Sequence, residues 1–139
     1  MTHRTEEESV IETTQLTQLV VKCLLEKKAR DVVVLDVEGR VSYCDHLVLC
    51  TATSARQVRA LAEHVSRTLK PLGKRPMGTE GVQTGKWALV DLGDVVLHIF
   101  DEESRQHYDL DGLWIDVPRV ALADIGVEQV QEVEMAPFL

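Results

Sequence analysis

With 139 residues and 45% hydrophobic content, the chain can build one compact core that buries about two-thirds of its unfolded surface, and a second domain would have no core of its own. Its 23 acidic and 15 basic residues give a formal net charge of −8, which argues against a protein held mainly by nucleic-acid phosphates, because clustered Lys and Arg carry that binding. A basic protein is the better-matched partner.

Residues 1–12 read as an acidic flexible tail, with no apolar run ahead of a small-residue cleavage site. Nowhere do about 18 apolar residues occur together. A cytosolic protein with no membrane contact is expected. Over residues 15–28, Leu16, Leu19, Val20, Cys23 and Leu24 recur at helical spacing and predict an amphipathic helix. Residues 31–37 predict a strand, because Val32, Val33, Val34 and Leu35 form a β-branched run that Gly39 ends as a turn. Its near-continuous apolar character suggests burial on both faces.

A second strand starts at Tyr43 or His46 and runs to Thr51. Ser54 and Gln57 then have the spacing of a capping box and open a helix near Ala55. Its stripe of Val58, Leu61, Ala62, Val65 and Leu69 points inward, and Pro71 and Gly73 stop it. Residues 74–85 are a polar, Gly-rich connection holding at most a short strand at residues 76–79. Residues 87–92 and 94–100 are apolar runs joined at Gly93, an antiparallel hairpin. Alternation sets Trp87, Leu89 and Asp91 on one face and Ala88 and Val90 on the other. Asp101, with Glu102 and Glu103 behind it, suits the start of a helix ending at His107 or Tyr108. Residues 13–115 thus form the α/β domain, and residues 116–139 an extension that fits a strand, a short helix or a loose tail.

Four stretches carry a family pattern: LDVEG at 35–39, LCTATSARQV at 49–58, WALVDLGDVVLH at 87–98 and ESRQHYDLDGLW at 103–114. In order and spacing they resemble the ribosomal silencing factors. The pattern has Gly where this chain has Ala52, and residues after Trp114 extend past its usual end. The resemblance implies a single α/β (α+β) domain with a mixed sheet of four to five strands flanked by helices, in a nucleotidyltransferase-like topology. It also implies a homodimer that binds a large-subunit ribosomal protein at the intersubunit face and prevents small-subunit joining. No cofactor or catalytic residue is needed for that.

A nucleotidyltransferase-like enzyme is the rival. Asp36 with Glu38, and Asp109 with Asp111, have the spacing of paired metal-binding carboxylates on a strand face. No Gly-Ser precedes the first pair, and Gly112 marks the second as a helix-ending loop. A large-subunit assembly factor is the other alternative. His98 reads as a hydrogen-bonded structural histidine, and His46, His64 and His107 match no zinc spacing. Cys23, Cys44 and Cys50 lack CxxC spacing and read as reduced thiols, at least two of them in the core. Cys50 precedes a helix start, where a thiolate could be stabilised, but no partner is visible.

Arg56 opposes the dipole in the first turn of its helix, so either an acidic partner group or an intrachain acid such as Asp45 should compensate it. With Arg59, Arg67, Lys70, Lys74 and Arg75 it forms the basic-leaning stretch, suited to a minor ribosomal RNA contact at the rim or to solvent. Two Trp, two Tyr and two Phe are all the aromatics present, and aromatic anchors dominate interfaces. The expected contact set is Trp87, Leu89, Asp91, Leu92, Tyr108, Leu110, Trp114 and Arg56. Trp87 and Tyr108 are its anchors, and Trp87 is expected to be removable without unfolding the protein.

Overall fold

The computed structural model describes residues 12–127; the expected acidic tail up to residue 11 and the Val and Glu alternation beyond residue 127 lie outside the described residues. The chain runs α1 (Thr13–Glu26), β1 (Arg30–Asp36), β2 (His46–Ala52), α2 (Ala55–Leu69), a 3-10 turn (Lys70–Leu72), β3 (Gly78–Glu80), β4 (Trp87–Asp91), β5 (Val95–Asp101), α3 (Glu102–Tyr108), the single turn α4 (Leu110–Leu113) and a last 3-10 turn (Leu122–Ile125). The five strands form one mixed sheet in the order β1-β2-β5-β4-β3. The central β2 and β5 are parallel and the other pairings antiparallel.

Side chains alternate across a strand, and the two central strands feed a separate cluster on each face. On the helix side Val48, Cys50, Val95, Leu97 and Ile99 pack with Leu16, Val20 and Leu24 of α1 and with Val58, Leu61, Val65 and Leu69 of α2. On the other side Leu47, Leu49, Val96 and Phe100 pack with Leu35 and Val117, and Trp87, Leu89, Leu110 and Trp114 lie half-buried over them. The stripe read for α2 is wholly buried. At its start the Ser54 hydroxyl accepts from the Gln57 N–H at 3.0 Å. The Gln57 carboxamide oxygen reaches one residue further back than a capping box requires and accepts from the Thr53 N–H.

β1 is an edge strand, and this limits the expected burial on both faces to its second half. Val34 joins the helix-side cluster and Leu35 the opposite one, while Arg30 and Asp31 are exposed. The free edge of that half is covered by the segment after Trp114. The Asp36 N–H donates to the Pro118 carbonyl and the Val120 N–H to the Val34 carbonyl, both at 2.9 Å. Ile125 and Val127 then join the helix-side core. Main-chain groups left open on a sheet edge invite pairing with other chains, and this return strap removes part of that risk.

The Gly-rich connection is built on close approach. Gly85 takes φ +72, and a Cβ there would collide with Ala55 at the start of α2. All three cysteines are free and buried.

Candidate docking surface

The β4–β5 hairpin positions the centre of the site. Leu92 N–H donates to the Val95 carbonyl at 2.9 Å, Gly93 takes φ 92, and the Asp91 carboxylate accepts from the Gly93 N–H at 2.9 Å. β4 therefore alternates as its sequence demands, with Ala88 and Val90 buried and Trp87, Leu89 and Asp91 half-buried on the face away from α1 and α2.

Trp87 sits in an aromatic group rather than free in solvent. Its ring stacks on Phe100 with centroids 5.1 Å apart and meets Tyr108 at 4.4 Å. Its indole N–H donates to His98 Nδ1 at 3.0 Å. That bond fixes the proton of neutral His98 on Nε2, and burial pushes the His98 pKa down to about 4. The structural role read for His98 is the one observed. Tyr108 closes the group from outside, half its surface open to solvent.

From Tyr108 the chain turns sharply. Asp109 adopts a left-handed conformation, φ 50, that ends α3 and begins α4, and its carboxylate caps Gly112 at 3.0 Å. Arg105 holds this elbow in place. Its guanidinium makes a two-pronged pair with Asp111 at 2.8 and 3.0 Å and donates to the Asp31 carbonyl at 2.9 Å and the Thr51 hydroxyl at 3.0 Å. The elbow thus presents Leu113, 67% exposed, and Ile115, 74% exposed, beside Tyr108 at 50%. Three large side chains with apolar surface are thus exposed within eight residues of sequence.

The hydrogen bonds from Arg105 hold the Asp111 carboxyl below its usual range. A depressed carboxylate pKa adds stability that is complete above the unfolded value and is lost as pH falls through the folded one. Asp111→Asn should therefore cost about 1–2 kcal/mol at neutral pH, and hydrogen exchange at residues 109–115 should accelerate. Unchanged exchange there would mean that the pair does not hold the elbow.

The structure brings together Trp87, Leu89, Asp91, Tyr108, Leu110 and Trp114 around this face. Two expected contact residues fall elsewhere. Leu92 is 2% exposed and packs in the helix-side core, because it continues the alternation of Ala88 and Val90. Arg56 is exposed on α2, on the opposite side of the sheet, where it lines a groove with Arg59, Ser66, Thr79, Val82 and Gln83. Among the described residues it makes no ion pair, and Asp45 instead accepts from the Thr13 hydroxyl. Leu113 lies inside the segment from Tyr108 to Trp114 that the family resemblance marks for contact, whereas Ile115 and the positioning Arg105 lie outside the residues read from sequence.

The paired carboxylates serve local structure. Asp36 accepts from the Glu38 N–H at 3.1 Å, Asp109 caps α4 and Asp111 pairs with Arg105. His46 Nδ1 bonds the Thr17 hydroxyl at 2.8 Å, and His107 stands edge-on to Tyr108. Burial pushes the Cys50 thiol up to about 12, which removes the thiolate reading.

The family described as "Ribosomal silencing factor during starvation" matches residues 10–137, a range that takes in the segment after Trp114 which the sequence reading set past the pattern's usual end. The ribosomal silencing factor of Halalkalibacterium halodurans is 36% identical over 80% of this chain and 95% of its own length. A crystal structure of a Chromobacterium violaceum protein superposes with a TM-score of 0.73 at 36% identity, over 75% of this chain and 87% of that one. A mouse protein named for mitochondrial assembly of the ribosomal large subunit is 31% identical over 69% of this chain and 43% of its own length. On a match that spans nearly the whole chain and relatives at this identity, the chain belongs to the ribosomal silencing factor family.

Proposed function

We propose that the chain represses translation in the cytosol by seating the Tyr108 face on a basic large-subunit ribosomal protein at the intersubunit surface, where its bulk blocks small-subunit joining. One observation carries this reading: an aromatic and aliphatic surface of Tyr108, Leu113 and Ile115, built on the half-buried Trp87 and held in place by Arg105. A body with a radius of gyration of about 14 Å does not fit where contacting atoms must approach within about 4 Å. Occupancy is sufficient, and no catalytic step enters. The reading includes a homodimer, as the family resemblance implies, with a minor ribosomal RNA contact by the basic side of α2.

Co-sedimentation with purified subunits through sucrose gradients tests the partner class. Binding to the large but not the small subunit supports the proposal, and the reverse sinks it. Affinity should fall with salt, because an acidic protein meets a basic surface, but less steeply than for an RNA binder that releases many counterions. A slope fitting about six or more phosphate contacts would move the interface to Arg56, Arg59 and the cations that follow them.

The name of the mouse relative favours a second reading, a factor for large-subunit assembly that uses the same face. A subunit-joining assay separates the two. Inhibition on mature subunits supports repression, whereas normal joining together with binding to immature large subunits supports assembly.

A further inference from the structure

On the sheet face away from the docking surface, the crossing of α1 and α2 gathers three side chains of metal-binding chemistry. Cys23 and Glu26 lie three residues apart on α1 and so share one side of that helix. His64 reaches them from α2. A ligand atom of each lies within 4.8 Å of the other two, and His64 Nε2 stands 2.9 Å from Glu26 Oε1.

A tetrahedral zinc ion binds sulfur at about 2.3 Å and nitrogen or oxygen at about 2.0–2.2 Å, which sets its ligands roughly 3.3–3.8 Å apart. With one pair at 2.9 Å and no pair beyond 4.8 Å, the cluster is close to that spacing, and small side-chain rotations would centre it. Its floor is the buried Cys23, while Glu26 is exposed and His64 half-buried. The solvent side therefore leaves a fourth position to water. The geometry points to a zinc-class site formed by Cys23, Glu26 and His64 that clamps α1 to α2.

Thiolate with imidazole selects zinc and its first-row neighbours over magnesium and calcium, which prefer all-oxygen shells. A metal-bound cysteine is a thiolate, so binding replaces the Cys23 thiol proton by the ion and releases it to solvent. The junction is already aligned at one end, where the Gln57 amide donates to the Lys27 carbonyl at 3.0 Å. An ion would add a second tie further along the same pair of helices.

The test is titration of the reduced, metal-stripped full chain with cobalt(II), followed by zinc competition. A sulfur-to-cobalt charge-transfer band together with tetrahedral d–d bands, saturating at a single equivalent and bleached by zinc, is expected. Cys23→Ser should abolish the charge-transfer band. His64→Gln, a change at a half-exposed position that the fold tolerates, should weaken zinc binding by about tenfold or more and remove the zinc-induced rise in Tm. Cys44→Ser, in the opposite core cluster, should keep the band. Absence of the band in the wild type, its survival in Cys23→Ser, or unchanged zinc affinity in His64→Gln would each overturn the site. Large-subunit binding is a separate readout, because the docking face lies across the sheet.

Discussion

Trp87→Ala should destabilise the fold by about 3 kcal/mol, the lower end for deleting a packed aromatic, because the indole is only half-buried. Three losses contribute to that cost. The stacking on Phe100 at 5.1 Å and the contact with Tyr108 at 4.4 Å disappear, and the buried His98 Nδ1 loses its donor. The same change admits water beside His98, so its pKa should climb from about 4 toward the ordinary 6.5, which an NMR titration would follow. A histidine whose folded pKa lies below its unfolded value contributes stability that is complete above the unfolded value and shrinks as pH falls toward the folded one. The wild type should therefore lose more stability than the variant between pH 6.5 and 4. Trp87→Phe, which keeps the stacking and removes only the donor, should cost about 1–2 kcal/mol. Urea unfolding within about 1 kcal/mol of wild type for Trp87→Ala, with His98 titrating as before, would return Trp87 to the free surface anchor that the sequence suggests.

Most of the frame was legible because it is written in local patterns. Alternation in β4, the inward stripe of α2, the Gly93 turn and the Asp101 cap each depend on residues a few positions apart, and each appears in the structure. Parity also places Leu92 inside, since it follows Ala88 and Val90 at even spacing. The exposed elbow was legible only in part. Leu113 and Ile115 fall in a tight elbow with no period, so nothing in their spacing marks them as exposed. Arg105 acts through Asp31 and Thr51, residues 74 and 54 positions away, and such contacts leave no local trace. The strap over β1 was hidden for a similar reason. It pairs through main-chain groups at Pro118 and Val120 without forming a patterned strand. Half-burial of Trp87 also escapes the alternation rule, which assigns a face but not what covers it. Here Tyr108, 21 residues later, supplies the cover.

Tyr108→Ala should weaken binding to the large subunit about a hundredfold, close to 2.7 kcal/mol, while costing the fold about 1–2 kcal/mol through its lost contact with Trp87, less than Trp87→Ala does. The asymmetry follows from its position. Half of the residue's surface is open to solvent, so the folded monomer loses less when Tyr108 is removed than when Trp87 is. A partner that covers it would bury that surface beside Leu113 and Ile115, on an aromatic base that is already ordered. Preorganisation of this kind reduces the entropy lost on binding, which is why one side chain can dominate the contact. Leu113→Ser should act in the same direction with a smaller effect, and Arg59→Ala, on the far side of the sheet, should change affinity less than about threefold. Affinities measured by gradient co-sedimentation, with urea unfolding run on the same variants, decide the matter. If Tyr108→Ala folds and binds normally while Arg59→Ala does not, the interface lies on α2, and the Tyr108 elbow is left without its proposed partner.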